Sequence, residues 1–193
     1  RPEDDRPTDE DPAPAEGFNP HSINLSPGSP STSFRNNRDW IAAWRNAIKQ
    51  DLPALPPRAA GDQRLRELIA VHLHSARGID CSAENIIVTA GTSDGLALTL
   101  QSQTGGASGL RIATENPGYP TARRVIRALG ASPIPIPVRD GGIDVDALKR
   151  APGQIDGALV TASHQYPLGG RVPVSARLDL LAWLRSTIIE LDH

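Results

Sequence analysis

Methionine is absent from this chain of 193 residues, cysteine occurs once, and phenylalanine, tyrosine and tryptophan together make up only 4% of it. The single cysteine, Cys81, excludes an intrachain disulfide framework and fits a reducing compartment. With no candidate base close to it in sequence, it reads as a half-buried apolar thiol rather than a nucleophile. An excess of charge of one sign is missing too: the formal net charge is −2, which argues against a large phosphate-binding footprint for nucleic acid within this segment. No apolar run approaches the about 20 residues that cross a bilayer, and no signal-peptide pattern is visible. The expectation is a soluble, cytoplasmic chain with no membrane partner. Because it starts at Arg1, lacks methionine and stops just after an apolar strand signal, the natural product is expected to extend beyond both ends.

What is present organises into three stretches. Residues 1–21 mix prolines with acidic side chains and carry almost no large apolar group, so burial cannot offset the entropy of ordering them. They read as a disordered linker. Residues 22–84 read as a helical segment. Trp40, Ile41, Trp44 and Ile48 recur three and four apart in a helix begun at Asn37 or Arg38-Asp39 and ended by Pro53, Pro56 and Pro57. A second helix over 64–75 carries Leu65, Leu68, Ile69 and Leu73 on one stripe, with Gly78 beyond its end.

From residue 85 the chain alternates. Strand signals at 86–89, 110–114, 133–138, 158–161 and 187–190 are separated mostly by helical patterns at 93–101, 121–129, 144–149 and 174–184. Strands alternating with helices imply crossover connections, and so an α/β fold with a mostly parallel sheet. The strand over 133–138 reads Pro-Ile-Pro-Ile-Pro-Val and has lost every second N–H donor, which confines it to a sheet edge.

Three polar loops lie beyond carboxyl ends of these strands, where α/β sheets place ligands. Gly91-Thr92-Ser93 opens a helix with first-turn N–H groups, two hydroxyls and a glycine. It reads either as a phosphate cup or as an ordinary helix cap. Asn116-Pro117-Gly118-Tyr119-Pro120 sets an aromatic ring on a stiff turn, as a packed turn residue or as a stacking partner for a flat ligand. Thr161-Ala162-Ser163-His164-Gln165-Tyr166-Pro167-Leu168-Gly169-Gly170 gathers His164 and Tyr166; a histidine taken singly is more often a hydrogen-bonded structural residue than a functional one.

Together these loops resemble the cofactor domain of pyridoxal-phosphate enzymes of the aspartate aminotransferase fold (fold type I, class I/II). The closest likeness is to the aminotransferase-like effector domain of MocR-type regulators in the GntR superfamily. The resemblance covers roughly residues 22–193, from Asn24-Leu25-Ser26-Pro27-Gly28 through Leu65-Arg66-Glu67 to the three loops, and Ser163-His164-Gln165-Tyr166-Pro167 is its most specific motif. It implies an incomplete three-layer αβα large domain over 85–193, with part of a small domain and arm before it. It also implies that pyridoxal 5'-phosphate is the cofactor. In that likeness Gly91, Thr92 and Ser93 hold the phosphate and Tyr119 stacks on the ring. Tyr166 faces the ring hydroxyl with His164 beside it, and Asp192 meets the pyridine nitrogen.

The implied partners are a small amino compound or amino acid, a second copy of the full-length protein, and DNA through a separate N-terminal domain. The lysine that joins the cofactor belongs downstream of Asp192; Lys49 and Lys149, the only lysines, lie in helical stretches. The resemblance leaves two functions open: a cofactor-sensing transcription regulator, or an aminotransferase exchanging amino and keto groups. It also implies that two strands separating 86–89 from 158–161 in the family's sheet are missing. Without them, N–H and C=O groups of 86–89 would go unpaired, at about 1–3 kcal/mol each if buried.

Overall fold

A computed structural model describes residues 33–50, 58–103 and 105–187. The linker 1–21, the entry from Asn24, the prolines at 53, 56 and 57, most of the last strand signal and Asp192 lie outside the described residues. The chain clusters into two compact units that divide between Ala90 and Gly91.

In the first unit, Asn37 accepts from the Asp39 amide (2.7 Å) and so starts helix α1, Arg38–Ile48. Helix α2, Gln63–Arg77, starts where Asp62 accepts from the Leu65 amide (2.8 Å). It ends at Gly78, whose φ of 65° lets Ile79 N–H turn back to the Leu73 carbonyl (3.3 Å). The Arg66 guanidinium, 2% exposed, donates through Nε and Nη2 to the Ala83 carbonyl (3.0 and 2.6 Å) and through Nε to that of Ile86 (2.9 Å).

That clamp holds the chain leading into 86–89 against α2. The 86–89 stretch is extended but joins no sheet among the described residues. Val88 N–H goes instead to the Ala60 carbonyl (2.9 Å). The Val88 amide is therefore satisfied by a local partner rather than by a ladder. A Cβ on Gly61 would lie 2.7 Å from that of Val88, which explains the glycine beside this contact.

The second unit is a sheet between helices. Its elements are α3 (Thr92–Gln101), β1 (Arg111–Asn116), α4 (Pro120–Ala128), β2 (Ser132–Arg139), β3 (Gly142–Ile143), α5 (Val145–Lys149), β4 (Gly157–Leu159) and α6 (Val174–Thr187). The strand order is β3-β2-β1-β4, with β1 parallel to both β2 and β4 and β3 antiparallel to the end of β2.

Side chains alternating across β1 and β4 feed two cores. Ile112 and Leu159 pack with Leu96 and Leu100 of α3 and Ile126 of α4. Ala113 and Ala158 pack with Leu148 of α5 and Leu180 and Trp183 of α6. Helices thus cover both faces in three αβα layers.

In β2 the isoleucines 134 and 136 enter the α5/α6 core. The alternate prolines leave N–H groups on one edge only, the edge paired with β1. Antiparallel β3 touches β2 only at Val138 and Arg139, beyond the last proline. Helix α6 runs on through Thr187, where the sequence suggested a strand beginning, because Ala182-Trp183-Leu184-Arg185 continues the helical pattern.

Candidate functional site

Parallel β1 and β4 send their carboxyl ends to one rim. The Asn116–Pro120 turn leaves β1 there, and the chain from Val160 to Tyr166 leaves β4 there. Helix α3 precedes β1 and packs on the same face as α4. Two of the three sequence-predicted loops, those carrying Tyr119 and Tyr166, thus meet at one rim.

Gly91 caps α3, accepting the Gly95 amide (3.0 Å). Its φ is +141°, with no heavy atom within 4 Å of where a Cβ would stand, so backbone there is open to close approach. Thr92 and Ser93 occupy the first helical turn, where amides have no intrahelical acceptor. Asp94 brings a carboxylate to the same turn.

Tyr119 caps α4, with Pro120 at the first helical position. Its ring, 41% exposed, meets that of Tyr166 edge to face, with centroids 6.0 Å apart and planes at 85°. Gly118 permits the turn: a Cβ there would collide with the Glu115 carbonyl oxygen.

Sequence reasoning named His164, which is exposed; the buried residue of the motif is its neighbour Gln165, 1% exposed. Gln165 Nε2 donates to Glu115 Oε2 (3.2 Å) and to the carbonyls of Pro117 (2.9 Å) and Tyr166 (2.6 Å), while its Oε1 accepts from the Leu168 amide (3.1 Å). Glu115 is 4% exposed and also accepts from the Thr161 amide (3.2 Å), which is why the β4 ladder ends before Thr161.

Arg177 of α6 closes the loop from behind. Its Nη2 donates to the Ala162 carbonyl (2.6 Å) and its Nε to that of Val172 (2.9 Å), and Val172 N–H itself returns to Ala162 (3.0 Å). Glu115 and Gln165 escaped the sequence reading because their signal is burial, which an isolated polar letter does not carry, and Arg177 because its carbonyl partners meet it only in the fold. Asp192 lies outside the described residues.

The model of the family described as aminotransferase class I and II matches residues 20–187. The chain belongs to that family. Among curated relatives, the HTH-type pyridoxine biosynthesis transcriptional regulator PdxR of Corynebacterium glutamicum is 42% identical over 167 residues, covering 85% of this chain and 34% of that protein. The HTH-type transcriptional regulator TauR of Rhodobacter capsulatus is 37% identical over 121 residues, covering 63% and 24%. A solved aminotransferase from Mycobacterium tuberculosis aligns with a TM-score of 0.62 at 26% identity, over 75% of this chain and 39% of that one. The chain spans about a third or less of the length of these curated relatives. No described helix is long and apolar enough to cross a membrane.

Aminotransferases of class I and II depend on pyridoxal phosphate. The residues of these loops fit that group: an open glycine at the N-terminus of α3, two hydroxyls in its first turn, and the paired rings of Tyr119 and Tyr166.

Proposed function

We propose that this aminotransferase class I and II domain serves a transcription regulator as its sensor of pyridoxal 5'-phosphate, or of that cofactor's adduct with a small amino compound. What carries the reading is the 42% identity to a transcription regulator over 85% of this chain, against 27% to an aminotransferase over a similar share.

In this reading Gly91, Thr92 and Ser93 hold the phosphate at the positive end of α3, and the amides of the first turn supply the donors. Tyr119 stacks against the pyridine ring. Tyr166 faces the ring hydroxyl, and His164, exposed beside it, reaches the amino compound. Asp192 pairs with the ring nitrogen. The bound group supplies an electron sink for chemistry at the amino carbon. Ligand binding alters DNA affinity to the extent that it favours one conformation of the whole protein over another. The protein acts in the cytoplasm as a homodimer and meets DNA through a separate N-terminal domain.

The second reading, an enzyme that exchanges amino and keto groups, draws on the solved aminotransferase with the same fold. Two measurements on the intact protein separate them. Regulation predicts that pyridoxal phosphate shifts the protein's binding to DNA, with no keto acid formed from an amino acid. Keto acid formation with no change in DNA binding would favour the enzyme.

A further inference from the structure

Neither Glu115 nor Gln165 can touch a ligand at the rim, since they are 4% and 1% exposed, yet their polar atoms join every segment that carries a ring. The Gln165 carboxamide bonds Glu115 at the end of β1, Pro117 two residues before Tyr119, and the carbonyl of Tyr166 itself. Glu115 reaches across to Thr161, two residues beyond β4.

The chemistry dictates which way the amide faces. Three oxygens surround Nε2 and one amide N–H faces Oε1; the reversed amide would set oxygen against three oxygens and NH2 against N–H. Two hydrogens serve three acceptors, so one is shared. A carboxylate in place of the amide would meet all three oxygens with no hydrogen. The position therefore requires an amide of glutamine length, whereas simple space filling would be met by an apolar side chain.

We infer that Gln165 and Glu115 are the positioning pair of this site: they set the edge-to-face geometry of Tyr119 and Tyr166, and with it the slot in which a flat ligand is held. The ring geometry is a property of the protein itself; the ligand consequence rests on the sensor reading above.

The chain contains two tyrosines, so tyrosine-selective labelling isolates this pair in NMR spectra of the full chain. The wild type is expected to give a cross-peak between the two rings. Gln165→Met, which keeps length and volume without donors, is expected to lose it while still unfolding cooperatively. Glu115→Gln, which keeps one or more of the contacts, is expected to weaken it.

An unchanged cross-peak in a folded Gln165→Met overturns the inference, as does its absence from the wild type. Should Gln165→Met fail to fold, an unchanged cross-peak in Glu115→Gln overturns it equally. A second arm titrates pyridoxal 5'-phosphate and reads induced circular dichroism. Gln165→Met should weaken binding about tenfold, the loss of one to two net hydrogen bonds' worth of order. If the wild type gives no such signal, the sensor reading fails while the cross-peak still decides on the pair.

Discussion

Arg177 and Ala162 are joined by a 2.6 Å hydrogen bond from a guanidinium on α6 to a carbonyl at the mouth of the Ser163–Arg171 loop. The same side chain holds Val172, the other end of that loop, so one planar group fastens both ends. Lysine offers a single point of donation and cannot reproduce the fork. Arg177→Lys and Arg177→Met should each destabilise the chain by about 1.5–3 kcal/mol, the range for hydrogen bonds to a charged group. Denaturant unfolding measures this; a loss below half a kcal/mol for both variants would show the fork to be idle.

Gly118 is a steric requirement rather than a conformational one, because the collision partner of an added Cβ is the backbone carbonyl of Glu115. Backbone cannot swing aside as a long side chain would. Gly118→Ala should cost about 1–3 kcal/mol, as for overpacking elsewhere in cores, and should displace Tyr119. The unfolding midpoint and the Tyr119 ring resonances report the two effects.

The prolines at 133, 135 and 137 remove donors only from the edge of β2 turned away from β1. Replacing them with threonine restores a row of N–H groups there without touching the β1 ladder. The triple variant should keep its folded circular dichroism spectrum but self-associate as concentration rises, which sedimentation would detect. Loss of the sheet itself would mean that the prolines do more than guard an edge.

Asp94 puts a negative charge in the helical turn proposed to hold a phosphate. Charge at a helix N-terminus is worth about 0.3–1 kcal/mol. Asp94→Asn should therefore tighten pyridoxal phosphate binding by about two- to fivefold. Weaker binding in a titration of this variant would show that the carboxylate supports the loop rather than competing for it.

Much of this architecture was legible from local chemistry. Asn37 announced a helix start and Gly78 a helix end because capping acts within a few residues. The Pro-Ile alternation of β2 stated both its buried face and its donor-poor edge. The 86–89 stretch misled because an apolar run does not name its partner: here the Val88 amide goes to Ala60, and Arg66 holds the segment. At the rim, the glycine and tyrosines stood out by type. Gln165 did not, because glutamine is common on surfaces, and only the fold brings Glu115, fifty positions away, against it.

In the sensor reading, Gly91, Thr92, Ser93, Tyr119 and Tyr166 together hold a phosphorylated pyridine ring. The most direct test of that reading is a titration of the full chain with pyridoxal 5'-phosphate, read by induced circular dichroism, beside a Thr92→Ala/Ser93→Ala variant and Tyr119→Ala. A saturable signal is expected in the wild type, with affinity reduced about tenfold or more in both variants. A wild type that gives no signal, or variants that bind as it does, would contradict it.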